Sequence, residues 1–245
     1  YGGHTDAVVL LLRSGAQIDA ANSRGDTSLA IASYMNHVDV VNVLIKRRAN
    51  LQLATIEHRY NPLHLATYKG HADVVSYILN CDDDHVHDIV NAKDKAGNSP
   101  MMLAAMQGQG QVLRLLLDHE SCDQTLVDNI GNSAVILAAN RGHLDCLEIL
   151  EEFGLNLDHT NMNDQSALIR TVMKSHIKVL QYLLMRGASV ELVDKEGFNA
   201  LERAIYAKLS GPLEILTEYY LVSGRMDEIE VAKEKVKQRL EDEEK

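Results

Sequence analysis

Apolar residues repeat along this chain in a fixed order, with a period of about 33 residues. In four stretches they stand three, four, seven and eight residues after one marker position, which is the spacing of one face of an amphipathic helix. The four markers are His37, His71, Gln109 and His176. A shorter apolar stretch, opened by Ser, Thr or Asn, precedes the marker and in two cases has Pro at its first turn. Because these residues cap or start helices, the pattern predicts a short and a longer helix in each repeat.

The marker position is usually histidine, and it recurs at nearly equal steps along the chain. The column holds His4, His37, His71, Gln109, His143 and His176, and glycine precedes four of the six. Tight turns with Asp first and Gly fourth, such as 94–97 and 194–197, come ahead of the shorter helices. A regular step of this kind is typical of a stack of similar units, each in contact with its neighbours.

Residues 61–75, NPLHLATYKGHADVV, show the repeat most clearly. With a turn, a short helix, a loop and a longer helix in about 33 residues, the unit resembles the ankyrin repeat. The resemblance covers residues 1 to about 220 and implies an all-α ankyrin-repeat solenoid of helix-turn-helix units with β-turn fingers. We place the ankyrin-repeat domain at 1–222 and a charged C-terminal helix at 223–245. The units fall near 1–20 (incomplete), 21–53, 54–91, 92–125, 126–158, 159–192 and 193–222.

Three places depart from the repeat. In the third unit Ile56 and Arg59 stand where the turn Asp and Gly are expected. The step from His71 to Gln109 is four residues too long, and the sequence predicts that the extra residues lie in Cys81–Asp88. In the last unit Ser210, Gly211 and Pro212 stand where the second helix begins, so we expect that helix to be distorted or to start late.

The first unit lacks its turn and its short helix, because Tyr1 falls in the middle of a repeat. Leu10, Leu11 and Leu12 would then have apolar surface open to water. We therefore expect the natural chain to extend upstream of Tyr1.

Residues 225–245 contain no Gly or Pro and many helix formers. The apolar stripe of this predicted helix is Met226, Ile229, Val236 and Leu240, with Ala232 or Lys233 in the gaps. Two interpretations stay open at this point: a solvated helix that extends the stack, or a helix that docks on a partner or forms a short coiled coil.

Composition narrows the class of function. The net charge of −11 argues against nucleic-acid or anionic-membrane binding as the main role, although a local basic surface is compatible with it. The sequence has no apolar run long enough to cross a bilayer and no signal-peptide pattern, so we expect no membrane insertion. Three cysteines without metal or disulfide spacing favour a reducing compartment, and we expect a cytoplasmic protein.

Motifs for catalysis are missing from the sequence. It contains no phosphate-binding Gly-rich loop, nucleophile elbow or HExxH, so we expect a non-enzyme without a cofactor. The histidines of the marker column stand one unit apart and cannot meet at one metal. The segment CDDDHVHD offers metal-ligand chemistry from Asp82 to Asp88, but it lacks the pattern of a calcium loop. We interpret it as a solvated acidic loop, with a metal site as the alternative.

The resemblance implies that partners bind at the turn tips and along the short helices, on a concave face. Alignment of six units gives thirty positions on that face, with six Lys or Arg against three Asp or Glu, five aromatic residues and four methionines. Aromatic residues, Met and Arg are enriched at interfaces. A further column inside the short helix is apolar in four units and becomes Arg170 and Arg203 in the last two. These arginines would either lay their stems on the helices or bind acidic groups of a partner.

The sequence therefore predicts a scaffold or adaptor that binds an acidic and apolar segment of another protein. The predicted partner-binding residues are Arg24, Tyr34, Tyr60, Tyr68, Lys69, Lys95, Met106, Arg141, Arg170, Met173, Lys174, Phe198, Arg203 and Tyr206. Two alternatives stay open: a structural subunit of a large permanent assembly, or the ankyrin portion of a larger enzyme or channel.

Overall fold

The computed structural model describes residues 2–243. That range holds fifteen helices, and its only β-structure is two isolated bridges, Ala21–Thr27 and Thr160–Ser166. The helices are α1 (Thr5–Arg13), α2 (Ser28–Tyr34), α3 (Val38–Lys46), α4 (Pro62–Lys69), α5 (Ala72–Leu79), α6 (Val86–Val90), α7 (Pro100–Gln107), α8 (Gly110–Leu117), α9 (Ala134–Arg141), α10 (Leu144–Glu152), α11 (Ala167–Lys174), α12 (Ile177–Met185), α13 (Ala200–Tyr206), α14 (Ser210–Val222) and α15 (Met226–Glu243).

The first and the second helices of the repeats make contacts in separate rows. The chain forms two compact units, one up to Asn129 and one from Ile130 onward. In the first unit, α2, α4 and α7 pack in one row, and α3, α5 and α8 in the other. In the second unit, α9, α11 and α13 form the short-helix row, and α10, α12 and α14 the long-helix row. The predicted pairing of two helices in each repeat is confirmed in both units. The second helix is not always the longer one, because α4 and α5 have eight residues each, as do α7 and α8.

The repeated apolar positions form the core. In α5 the four predicted core residues, Val74, Val75, Ile78 and Leu79, are all buried. The short helices start at side-chain caps: the Asn61 side chain accepts a hydrogen bond from the His64 N–H, and Ser166 accepts one from Ile169. These caps satisfy N–H groups that have no partner inside the helix.

The marker histidines brace neighbouring repeats. His71 Nε2 donates to the Tyr34 carbonyl at 2.9 Å, and His176 Nε2 donates to the Asn140 carbonyl at 3.1 Å. The histidine ring also explains why glycine stands before the marker position of the preceding repeat. A Cβ added to Gly142, whose φ is 78°, would lie 2.7 Å from Nδ1 of His176 in the next repeat.

Two expectations about irregular places are wrong. The second helix of the last repeat is neither distorted nor late: α14 starts at Ser210, and Pro212 fits its first turn because the N–H that proline lacks would have no acceptor there. In the third repeat Thr55, rather than Ile56, takes the place of the turn Asp. Its Oγ1 accepts from the Tyr60 N–H at 3.1 Å, while Arg59 takes the left-handed conformation expected of the turn glycine.

The acidic insertion contains a helix that the sequence interpretation missed. The extra residues lie where the spacing placed them, but they lead into α6, whose Val86, Ile89 and Val90 are buried. Asp83 Oδ1 accepts from the backbone N–H and from Nδ1 of His85, both at 2.9 Å. These bonds hold the acidic turn against its own backbone.

The C-terminal helix α15 packs on α13 and α14. Ile229, Ala232 and Val236 are buried, whereas Met226 and Leu240 at the two ends of the predicted stripe are exposed. Glu244 and Lys245 lie outside the described residues, as does Tyr1. The predicted division between a repeat domain and a separate helix at residue 222 stays a prediction.

Apolar surface is open at the first helix, where Leu10 and Leu11 are largely exposed. Over residues 2–243, no helix combines the length and apolar character needed to cross a bilayer.

Candidate protein-binding surface

An aromatic patch lies on the short-helix row of the first compact unit. It consists of Tyr34 on α2, Tyr60 in the finger before α4, and Tyr68 at the end of α4, with Lys69 beside it. The rings of Tyr60 and Tyr68 are 6.0 Å apart, and the Lys69 ammonium lies 4.8 Å from the centre of the Tyr34 ring. Tyr34 is 38% exposed and Tyr68 40%, so both present ring surface to solvent.

The finger places Tyr60 firmly. Its ring stacks in parallel on the buried His64 ring, with centroids 5.6 Å apart. Burial, together with the carboxylate of Asp94, raises the pKa of Tyr60 to about 12, so the hydroxyl stays protonated and neutral at neutral pH. A rigid, half-buried aromatic ring next to an exposed one is the kind of anchor that protein interfaces use.

A shallow cavity of about 270 Å³ opens beside this patch. Ile31, Met35 and Leu65 give it an apolar floor, and Tyr34 and Tyr60 form part of its wall. Its rim is charged and polar: Arg24, Asp26, Glu57 and His58. An apolar floor with a polar rim can take one side chain of a partner segment.

The other predicted residues of this unit are placed as follows. Arg24 is exposed and pairs with Asp26 at 3.0 Å. Lys95 is exposed, and its backbone N–H donates to the His58 carbonyl at 2.9 Å, which links neighbouring fingers. Met106, at the end of α7, is half-buried.

The second compact unit carries exposed cations on its short-helix row. Arg141 ends α9, and Lys174 ends α11 at the equivalent position, with Met173 beside it. Arg170 lies one turn before Lys174 and is half-buried. Its guanidinium donates to Asn140 Oδ1 at 2.7 Å and to Gln165 Oε1 at 3.2 Å. Burial lowers the pKa of Arg170, although the group remains charged.

Arg203 cannot act as a free cation, and its assignment as a partner-binding residue is wrong. Its side chain is 8% exposed and lies 2.5 Å from Asp194 Oδ2 and 3.0 Å from Glu196 Oε2. Burial alone would lower its pKa, but hydrogen bonds with Glu196 and Asp194 raise it instead. Arg203 therefore belongs to an internal ion pair.

Phe198 is also wrongly assigned, because only 2% of it is exposed. The guanidinium carbons of Arg203 and Arg239 lie 4.8 Å and 5.5 Å from the centre of its ring. Tyr206 packs on it at 4.9 Å and donates its hydroxyl hydrogen to Glu243 on α15. Tyr206 thus remains half-exposed, with its polar end already bound.

Tyr60 with Tyr68 and Phe198 with Tyr206 occupy the same two positions of their repeats. The second pair is covered by α15, while the first keeps ring surface open. The alignment alone gave both pairs equal weight, because it contains no signal for where α15 packs.

Side-chain chemistry elsewhere gives no metal centre in the part of the chain that is described. No group of three His, Cys, Asp or Glu side chains within residues 2–243 is placed to hold a metal ion. Burial raises the pKa of Cys146 to about 12, with the nearby Asp145 adding to the shift, so this thiol is a poor nucleophile.

A second surface was missed by the sequence reasoning. On the long-helix row of the second unit, Tyr182, Met185, Tyr219 and Val222 line an apolar depression of about 670 Å³. Met185 is 78% exposed and Val222 84%. The available signal was apolar residues at positions outside the repeated core spacing.

Comparison with known proteins supports the repeat fold. A family model described as ankyrin repeats (3 copies) matches residues 1–89 and 85–161. The chain is similar in structure to the ankyrin repeat domain of Bcl-3, a member of the IκB protein family, with a TM-score of 0.73 and 22% identity. That match covers 86% of this chain and 91% of the other.

Relatives in sequence are much longer proteins. The ankyrin repeat and KH domain-containing protein mask-1 of Caenorhabditis elegans is 29% identical over 227 residues, 91% of this chain and 8% of that protein. The NF-κB p105 subunit of Rattus norvegicus is 31% identical over 64% of this chain and 16% of its own length. The probable E3 ubiquitin-protein ligase XBOS32 of Oryza sativa subsp. japonica is 29% identical over 53% of this chain and 32% of its own length. The chain thus spans less than a third of the length of these relatives, and the family match over residues 1–161, together with the paired helices, shows that it belongs to the ankyrin-repeat family.

Proposed function

We propose that this chain is a non-catalytic scaffold or adaptor that binds a segment of another protein through its short-helix row. Ankyrin repeats generally serve as protein-interaction modules. The observation that carries the proposal is the open aromatic patch of Tyr34, Tyr60 and Tyr68 beside an apolar cavity. Large aromatic residues supply much of the binding energy at protein interfaces.

The chain itself offers a comparison that supports this use of the patch. Where the equivalent aromatic pair occurs in the last repeat, an amphipathic helix covers it with an arginine and a glutamate. The pair at Tyr60 and Tyr68 lacks such a cover from within residues 2–243. We therefore propose a partner segment with apolar side chains for the cavity and polar groups for the Tyr68 hydroxyl and the rim.

Charge favours an acidic segment as the ligand of the second unit. Arg141, Arg170 and Lys174 place cations on the short-helix row of the second unit, although the whole chain carries a net charge of −11. Complementary charge speeds association and selects partners more than it adds affinity.

Crosslinking with an amine-reactive reagent tests the proposal. The chain would be isolated with its partner from the native source, crosslinked, and digested for mass spectrometry. Lys69 at the end of α4 and Lys46 at the end of α3 form a matched pair: both are exposed and both lie in the first compact unit, but on different rows. The proposal expects partner crosslinks at Lys69. Partner crosslinks confined to Lys46 and other long-helix lysines would overturn it.

A structural subunit of a permanent assembly is the second candidate. The exposed apolar surface around Met185 and Val222 supports it, because obligate interfaces are more apolar than transient ones. Partner crosslinks at Lys178, which lines that surface, would favour this function. A third candidate, the ankyrin portion of a larger enzyme or channel, is supported by the small share of the relatives' lengths that the chain spans.

A further inference from the structure

Two arginines in equivalent positions of successive repeats have different electrostatic surroundings. Arg170 on α11 and Arg203 on α13 stand 33 residues, one repeat period, apart in the sequence. Arg203 pairs with the two carboxylates of Asp194 and Glu196. The same positions of the preceding repeat hold Asn161 and Asn163. Both carboxylates that neutralise Arg203 are therefore replaced by amides around Arg170.

The turn geometry fixes which atom of Asn161 faces the arginine column. Asp194 Oδ1 accepts from the N–H groups of Glu196 and Phe198, which leaves Oδ2 to bind Arg203. Asn161 Oδ1 makes the same two turn bonds, with Asn163 and Gln165 at 2.8 and 3.1 Å. The second atom of Asn161 must then be the NH₂ group, and it donates to Asn132 Oδ1. A donor thus replaces the oxygen that would neutralise the arginine.

The remaining partners of Arg170 are neutral. Its two hydrogen bonds go to amide oxygens, and within residues 2–243 it has no carboxylate partner. A guanidinium has five N–H donors, so three stay available after these two bonds. Asn140 and Gln165 hold the group in place, and the side chain is only half-buried. A pre-positioned guanidinium binds a carboxylate more strongly than a mobile one does.

We propose that Arg170 is the receptor for a carboxylate side chain of a partner peptide, which supplies the negative charge that Asp194 and Glu196 supply to Arg203. The proposal rests on the proposed function and names the chemistry of the bound segment. Lys174, one turn further along α11, and Arg141, at the end of α9, raise the local positive potential for a second acidic residue. The segment recognised here is therefore an acidic peptide.

Nuclear magnetic resonance of the arginine side chains tests this directly. The probe is the acidic peptide acetyl-Leu-Glu-Glu-Leu-amide, and its control is acetyl-Leu-Gln-Gln-Leu-amide. The Nε–H resonance of Arg170 is assigned by its loss in Arg170→Leu. The fold should tolerate this substitution, because two other repeats have a buried leucine at the equivalent position, Leu103 and Leu137. The acidic peptide should shift the Arg170 resonance in a saturable way, and the amide control should not. Arg170→Leu should bind the acidic peptide roughly tenfold more weakly, the effect of losing one charge-assisted contact.

A second variant restores the internal carboxylates without removing the arginine. In Asn161→Asp/Asn163→Glu, Arg170 should pair internally as Arg203 does, and the Arg170 resonance should no longer respond to the acidic peptide. An unchanged response in this double variant would overturn the proposal. A shift confined to Arg141 would also overturn it, as would an equal response of Arg170 to inorganic phosphate. These outcomes leave the crosslinks at Lys69 untouched, so failure here is distinct from failure of the adaptor function.

Discussion

Arg203 Nε donates to Asp194 Oδ2 at 2.7 Å, and both side chains are almost completely withdrawn from solvent. Asp194 also holds the turn before α13 through two backbone N–H groups. The pair therefore connects the finger of the last repeat to its short helix. Removing one partner of a buried ion pair leaves a charge without compensation, which costs more than the pair itself contributes.

Substitution of this arginine should show that cost. We expect Arg203→Leu to lower the free energy of unfolding by roughly 3 kcal/mol. Arg170→Leu at the equivalent position should change it by less than about 1 kcal/mol, because Asn140 and Gln165 are neutral and can bind water. Urea denaturation of both variants measures the difference. Equal losses would show that Asp194 does not depend on Arg203.

Packing of α15 can be tested with two valines on that helix. Val236 is 2% exposed and Val231 is 66% exposed. Val236→Ala should destabilise the chain by about 2 kcal/mol through lost apolar burial and a residual cavity. Val231→Ala should stay within about 0.5 kcal/mol of the unsubstituted protein. If thermal unfolding does not distinguish the two variants, α15 is not an integral part of the fold.

Substitution of the glycine before the marker histidine should combine two costs, one from backbone strain and one from a steric clash. Gly142 and Gly187 have nearly the same positive φ, 78° and 76°, but an added Cβ meets His176 only at Gly142. Gly187→Ala should cost about 1 kcal/mol, from left-handed strain alone. Gly142→Ala should cost at least about twice as much, because the His176 ring must move. Chemical denaturation compares them, and a smaller loss for Gly142→Ala would contradict the bracing role of the histidine.

His64 gives the fold a dependence on pH. Burial lowers its pKa to about 4, from an ordinary value of 6.5. The unfolded chain therefore takes up the proton first, and the stability present above pH 6.5 should fall as the pH drops toward 4. The loss should approach roughly 3 kcal/mol. His64→Gln should flatten this part of the profile of unfolding free energy against pH, and a parallel profile would show that other groups cause the acid sensitivity.

The repeated fold could be predicted from the sequence because the same spacing of apolar and capping residues recurs in each repeat. Spacing of apolar residues at markers such as His71 identified the long helices, and caps such as Asn61 identified the short ones. The order of the helices follows from that pattern, since each repeat packs mainly on the repeats next to it.

Contacts that form in only one of the repeats could not be predicted in this way. Arg170 and Arg203 share a column, yet only Arg203 has carboxylates at hydrogen-bond distance, which follows from the finger residues rather than from the column. Phe198 is in the same column as Tyr60, but α15 covers it because Ile229, Ala232 and Val236 give that helix an apolar face. Ser210-Gly211-Pro212 suggested a helix that is distorted or starts late, although a first turn tolerates proline.

The central claim is tested most directly by titration calorimetry with two variants, Tyr68→Ala and Tyr77→Ala. The measured quantity is the affinity of each variant for the partner identified by crosslinking. Tyr68 belongs to the aromatic patch on the short-helix row, and Tyr77 lies on α5 in the long-helix row of the same unit, with its hydroxyl bound to Asn42. We expect Tyr68→Ala to weaken binding by about 1–3 kcal/mol and Tyr77→Ala to leave it unchanged. Unchanged affinity in folded Tyr68→Ala, with a loss in Tyr77→Ala, would contradict binding through the short-helix row.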